Sequence, residues 1–157
     1  MGLMVEKDQT IHFEVYRESE EGEEVVYSEG SAELITEVAS PPVDISKIKQ
    51  TCGDKVLDKE DVYTAFTNIG IQYGESHRGI EKLYIGKEEV LAQLMLSSPW
   101  VEEGLHPGMV DAAIQAAIGL EADFTQLQTS VPVAMEEATI YRETKEAMWA
   151  WIRRETD

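Results

Sequence analysis

The sequence predicts an α+β fold in which an antiparallel sheet is wrapped around one long buried helix. Three observations predict it. Extended, alternating runs occur in neighbouring pairs, one stretch around residue 110 is apolar on almost every side, and further extended runs follow that stretch. A strand–strand–helix–strand–strand order buries such a helix economically in an antiparallel sheet. The length of 157 residues suits one domain, or one half of a larger duplicated domain.

The first pair of strands is predicted in Ile11–Tyr16 and Glu23–Leu34, with the turn glycine Gly22 between them. A Pro-Pro pair, small residues and weak periodicity follow, and they indicate a linker. The sequence is therefore divided into strands over 1–37, a linker over 38–57 and a main domain over 58–157.

A helix is predicted to begin at Asp58, whose carboxylate can cap it, and to end at Gly70. Its apolar stripe comprises Val62, Tyr63, Phe66 and Ile69. The glycine-punctuated segment "IQYGESHRG" follows as a loop. The segment "IEKLYIGKEEVLAQLML" then predicts two strands around a turn at Gly86–Lys87.

The stretch "LHPGMVDAAIQAAIGL" predicts a helix over residues 108–120, apolar on almost every face, as in a helix surrounded by protein. Asp111 and Gln115 stand out in it, and their spacing of four places them on one face. Two strands are predicted after it, at Met135–Tyr141 and in "EAMWAWIRRE". In the latter, the two tryptophans lie on one side and Met148 and Ile152 on the other.

The formal charge of −18 argues against a nucleic-acid or anionic-membrane partner, because both require basic patches. No apolar run reaches the length of a membrane span. Cys52 is the single cysteine, and the N-terminus lacks a basic-then-apolar signal pattern. The sequence predicts a reduced, cytoplasmic setting and no metal site.

Two motifs give the chain a resemblance to a known family. The segment "VYTAFTNIGIQYGESHRGIEKLYIGKEEVLAQLML" and the later "LHPGMVDAAIQ" resemble the C-terminal half of a polyketide synthase dehydratase domain. That family has a double-hotdog fold, in which two helix-in-sheet halves pack side by side. The resemblance implies that this chain is the second hotdog half, and an incomplete one, because the final strand of the family is lacking.

The resemblance implies an activity and site residues. The family removes water from a β-hydroxyacyl chain on the phosphopantetheine arm of an acyl carrier protein, and an α,β-unsaturated thioester results. The resemblance makes Asp111 the general acid and lets Gln115 orient the carboxyl or the substrate hydroxyl. It places four residues at the substrate: Tyr73, Gly74, His106 and Pro107. It implies no cofactor apart from the carrier's phosphopantetheine, and neighbouring synthase domains as partners.

Dehydration requires a base that removes the α-proton and an acid that protonates the departing hydroxyl. A carboxylic acid donates a proton near neutral pH only when its pKa is raised, and burial among apolar groups has that effect. Asp111 lies between Val110 and Ala112 in the apolar helix, which predicts such surroundings. The alternative for this residue is a first-turn aspartate that stabilises the helix dipole. For His106 the alternative is a residue that packs at the helix start.

One family motif is missing. The family's base is a histidine in an HxxxGxxxxP motif of the first half, and His12, His77 and His106 all lack that context. The sequence therefore predicts an acid without its base, and a partner in the missing N-terminal half. It also predicts self-association, because a lone hotdog half exposes apolar surface.

Three alternatives stay open. The chain could be a non-catalytic hotdog that binds an acyl chain or joins modules, which the absent histidine and the acidity favour. It could belong to a pyran-forming or double-bond-shifting dehydratase homologue, although those variants often lose the aspartate. It could also be a single-hotdog thioesterase or hydratase that is active as a homodimer, with Asp111 and His77 as its pair.

Overall fold

A computed structural model describes residues 2–6, 10–19, 24–35, 39–97, 104–121 and 131–155. The chain forms two compact units, Met1–Ser40 and Pro41–Asp157. No helix in these described ranges is long and apolar enough to cross a membrane.

The first unit is a three-stranded antiparallel sheet. Its strands are β1 (Gly2–Val5), β2 (Ile11–Glu18) and β3 (Glu24–Ala32), in the order β1-β2-β3. The predicted hairpin is confirmed by the pairing of β2 with β3, in which Ile11 lies opposite Ala32. The four-residue strand β1 was not predicted, because a run this short carries too little alternation to be recognised.

The second unit contains a four-stranded antiparallel sheet. Its strands are β4 (Lys55–Asp58), β5 (Ile80–Ile85), β6 (Glu89–Met95) and β7 (Ala147–Arg153), in sequence order across the sheet. The predicted turn at Gly86–Lys87 joins β5 to β6, and the Gly86 N–H donates to the Glu89 carbonyl at 2.9 Å. The predicted last strand is confirmed as β7.

Three α-helices accompany this sheet: α1 (Ile45–Thr51), α2 (Lys59–Asn68) and α3 (Pro107–Gln115). The described residues also contain two 3₁₀ segments, Glu75–His77 and Ala116–Leu120. Helix α2 begins as predicted, since the Asp58 carboxylate accepts from the Asp61 N–H at 3.0 Å. It ends before Gly70, whose φ of 88° suits glycine.

The main core lies between the sheet and the helices α2 and α3. Its fully buried side chains include Val62 of α2, Ile80 and Leu83 of β5, Val90 and Leu94 of β6, and Ala112 of α3. Strand β7 contributes Met148, Ala150 and Ile152 to this core and turns Trp149 and Trp151 outward, as its alternation predicts. The second face of the sheet is partly covered by α1, where Ile48 and Cys52 pack on Tyr84 and Leu91.

The structure corrects three expectations. Segment 38–57, predicted as a linker, contains α1 and β4. Residues 135–141, predicted as a strand, have neither helix nor strand, and Met135 is 76% exposed. Their β-branched and aromatic residues have strand propensity, but a strand also needs a partner edge.

The third correction concerns the helix predicted over 108–120. It is an α-helix to Gln115 and a 3₁₀ helix to Leu120, and it is not surrounded by protein. Met109, Ala112 and Ala116 are buried, whereas Val110 is 38% and Ile114 is 47% exposed. One apolar face of α3 is therefore open in the described residues.

Gly119→Ala is expected to lower the free energy of unfolding by about 1–3 kcal/mol, because an added Cβ overpacks the core. That atom would lie 2.9 Å from Val90 Cγ2 and 3.0 Å from Leu83 Cδ2. Urea unfolding followed by circular dichroism measures the change. Gly74→Ala is the control, since no atom lies within 4 Å of its added Cβ. Equal stability of the Gly119 variant and the wild type would contradict this packing.

Candidate functional site

The motif residues meet where helix α2, the loop before β5 and helix α3 come together. Tyr63 comes from α2, Tyr73 from the loop, and Asp111 and Gln115 from α3. Gly79 allows the loop to approach α3 closely, because a Cβ on this glycine would lie 2.9 Å from Ala112 Cβ. The close approach brings the loop's main chain within hydrogen-bond distance of the α3 side chains.

Asp111 and Gln115 form the pair that their spacing predicts. Gln115 Nε2 donates to Asp111 Oδ2 at 2.8 Å. Asp111 is half-buried, and Gln115 is 5% exposed. In the described residues the hydrogen bond to this carboxylate engages Oδ2, which leaves Oδ1 for a ligand.

Gln115 is held on both sides of its amide. Its Nε2 also donates to the His77 main-chain carbonyl at 2.9 Å, and its Oε1 accepts from the Tyr63 hydroxyl at 3.0 Å. In the described part of the chain, both polar atoms of this amide have protein partners. The orientation of Gln115 is therefore fixed before any substrate arrives.

Tyr63 is 3% exposed, and its hydroxyl accepts a hydrogen bond from the Ile80 N–H at 3.1 Å. Burial raises the pKa of Tyr63 to about 12, with a smaller contribution in the same direction from the charge of Asp111. The Ile80 hydrogen bond and the Arg78 charge oppose this shift without cancelling it. The phenol is therefore protonated at neutral pH and can donate a hydrogen bond.

Tyr73 is half-buried and packs edge-on against Phe66, with ring centroids 5.0 Å apart. It also packs edge-on against Tyr63, at 6.1 Å. Burial, followed by the charge of Asp111, raises the pKa of the Tyr73 phenol. A protonated hydroxyl that the charge of Asp111 reaches suits the predicted role of Tyr73 as a donor to substrate. The adjacent Gly74 is exposed.

His106 and Pro107 form the beginning of helix α3. His106 is the N-cap, and its Nδ1 accepts from the Met109 N–H at 3.3 Å. Its own N–H donates to Thr144 Oγ1 at 2.8 Å. Pro107 is the first helical residue, where its missing N–H costs no hydrogen bond. The structure thus gives both residues a helix-start role, and their contact with substrate stays a prediction.

Two groups of this site, the Tyr63 hydroxyl and the His77 main-chain carbonyl, were not predicted from the sequence. Tyr63 was assigned to the apolar stripe of its helix, and the signal for a further role was its hydroxyl, which needs a partner when buried. His77 contributes its main-chain carbonyl, which no residue pattern reveals. The His77 side chain is exposed, and its Nδ1 lies 2.9 Å from Ser76 Oγ.

Within the described ranges, no group of three or more histidine, cysteine, aspartate or glutamate side chains could hold a metal ion. The arrangement at α3 is instead that of a single carboxyl group. Its position is set by a buried amide, and its charge acts on two phenols, Tyr63 and Tyr73. Such a site can exchange a proton with a ligand at Asp111.

Comparison with known proteins identifies the family. Residues 40–157 match the family described as the polyketide synthase dehydratase N-terminal domain. In Bacillus subtilis, polyketide synthase PksM is 33% identical over 168 residues, covering 100% of this chain and 4% of PksM. Polyketide synthase PksL of the same organism is 35% identical over 161 residues, covering 96% of this chain and 4% of PksL.

A solved structure has the same fold as this chain. It is a dehydratase domain of a trans-AT polyketide synthase from Brevibacillus brevis, 36% identical to this chain with a TM-score of 0.84. The alignment covers 96% of this chain and 55% of that domain. The chain thus spans about half of a solved dehydratase domain and a small part of the curated synthases. The chain belongs to the polyketide synthase dehydratase family.

Proposed function

We propose that the chain is the second hotdog half of a polyketide synthase dehydratase and supplies its general acid. The observation that supports this most is the 2.8 Å hydrogen bond between Gln115 Nε2 and Asp111 Oδ2, held by a buried network. A carboxyl group fixed in this way, with one oxygen left for a ligand, suits proton donation to a leaving hydroxyl.

The proposed reaction is elimination of water from a β-hydroxyacyl thioester. A base takes the α-proton, the electron pair of that C–H bond forms the double bond, and the bond from the β-carbon to oxygen breaks. Asp111 gives its proton to the departing oxygen, so that water and an α,β-unsaturated thioester leave. By family resemblance the base is the histidine of an HxxxGxxxxP motif in the first half, and the substrate is carried on an acyl carrier protein.

The assignment to the second half is also a proposal. The matching family is described as an N-terminal domain, whereas the Tyr73 loop and the HPGMVD segment resemble motifs of the second half. The absence of HxxxGxxxxP from the sequence supports the second half. Reading the gene upstream of Met1 tests it, because the histidine motif should be encoded there.

The function itself is tested with the complete dehydratase domain that contains this chain and a β-hydroxyacyl pantetheine thioester. Mass spectrometry should detect the thioester product that has lost one water. An acyl thioester without the β-hydroxyl is the control and should stay unchanged. Release of free acid would favour a thioesterase, and binding without turnover would favour a scaffolding module.

The open face of α3 predicts self-association of the separate chain. Val110 and Ile114 are spaced by four and partly exposed, so they present an apolar patch that we assign to the contact with the other half. Light scattering of the purified chain should show dimers or larger species, and Val110→Ser with Ile114→Ser should reduce them. Val43→Ser with Val56→Ser is the control at exposed valines away from α3. A wild-type chain that stays monomeric at high concentration would contradict this.

A further inference from the structure

A chain of hydrogen bonds leads from the main chain of β5 to the carboxylate of Asp111. The Ile80 N–H donates to the Tyr63 hydroxyl at 3.1 Å, and this hydroxyl lies 3.0 Å from Gln115 Oε1. Gln115 Nε2 lies 2.9 Å from the His77 carbonyl and 2.8 Å from Asp111 Oδ2. The two links made by the Tyr63 hydroxyl are buried, and the two made by Gln115 Nε2 are partly buried.

The direction of each bond follows from the groups present. The His77 carbonyl can only accept, so the end of Gln115 that faces it has to be the NH₂ group. The other end is then an acceptor, and the Tyr63 hydroxyl must donate to it. The hydroxyl oxygen accepts from the Ile80 N–H, and its proton has two acceptors, Gln115 Oε1 at 3.0 Å and the His77 carbonyl at the longer distance of 3.4 Å. The shorter contact is the one to Gln115. The His77 carbonyl and the Tyr63 hydroxyl together therefore set which way the amide points, one at each end.

The orientation of the Gln115 amide determines which oxygen of Asp111 accepts a hydrogen bond. With the NH₂ group of Gln115 directed at Oδ2, that oxygen acts as an acceptor. A proton on the carboxyl group then belongs on Oδ1. The amide thereby distinguishes two oxygens that are otherwise chemically equivalent.

We propose that Tyr63 is a positioning residue, which holds Gln115 so that Oδ1 of Asp111 is the oxygen that transfers the proton. This inference rests on the proposed function, because it concerns the same acid. Tyr63 acts through Gln115 and does not touch the substrate.

Tyr63→Phe tests the proposal with little disturbance of packing. The ring contacts with Phe66 and Tyr73, both at 6.1 Å, and the position of Arg78 over the ring at 5.1 Å do not involve the hydroxyl. In the complete dehydratase, kcat should fall about tenfold, the factor for one lost hydrogen bond. KM should be unchanged, because substrate contacts remain. Tyr84→Phe is the matched control in the separate cluster with Cys52.

A coupling experiment separates positioning from a general structural role. Gln115→Met and the double variant with Tyr63→Phe are measured beside the single variants. If Tyr63 acts through Gln115, the double variant should lose no more kcat than Gln115→Met alone. The proposal would be overturned if the two single-variant losses of kcat multiplied in the double variant. A rise in KM for Tyr63→Phe would also overturn it.

The two proposals can fail separately. If Tyr63→Phe keeps wild-type kcat while Asp111→Asn is inactive, the positioning role of Tyr63 is contradicted and the assignment of Asp111 as the acid is retained. Full activity in Asp111→Asn would instead remove the proposed function itself. Equal urea midpoints of Tyr63→Phe and Tyr84→Phe would show that any kcat difference between them does not come from unfolding.

Discussion

Asp111→Asn in the complete dehydratase is expected to lower kcat by a factor on the order of 10² to 10⁴, the usual contribution of a general acid. Asparagine has the same shape as aspartate and can still accept the hydrogen bond from Gln115 Nε2. It has no acidic proton to give to the leaving hydroxyl. The loss should therefore appear in kcat, while KM changes little.

The control for this substitution is Asp61→Asn. Asp61 is an exposed aspartate in the first turn of α2, so the variant removes the same charge outside the site. It should retain wild-type kcat. Steady-state rates of product formation measure both variants. An Asp111→Asn enzyme with wild-type kcat would contradict the assignment of this carboxyl group as the acid.

The sequence predicts the strands of this fold well where one face of a strand is buried. Burial leaves an alternation in β7, in which Met148 and Ile152 face the core and Trp149 faces outward. The four residues of β4 are too few to show such a pattern, and helix α1 has one buried residue, Ile48. Tertiary packing, rather than periodicity, accounts for these two elements.

The site was predictable in part for a similar reason. A spacing of four residues on a helix is enough to pair Asp111 with Gln115, and the structure confirms that contact. The full burial expected for α3 was wrong, because an all-apolar pattern does not say which neighbour covers each face. The partners of Gln115 on other elements, Tyr63 and the His77 carbonyl, depend on long-range packing that spacing does not report.

The 157-residue chain by itself is expected to leave β-hydroxyacyl thioesters unchanged, because it contains an acid without a base. Among its three histidines, His106 caps α3 and His77 has an exposed side chain beside Ser76. His12 lies in the first unit, with its Nε2 3.3 Å from Glu6 Oε1. None of the three lies in an HxxxGxxxxP context.

Adding a separate polypeptide that carries the HxxxGxxxxP half should raise turnover by a factor on the order of 10² to 10⁴, because the base then completes the pair. The same half with its histidine replaced by alanine should give no rise, and neither should the intact half mixed with Asp111→Asn. Product formation by mass spectrometry measures these three mixtures and the chain alone. Rapid turnover by the chain alone, lost in Asp111→Asn, would mean that the base lies within these 157 residues and that the division of acid and base between two halves is wrong.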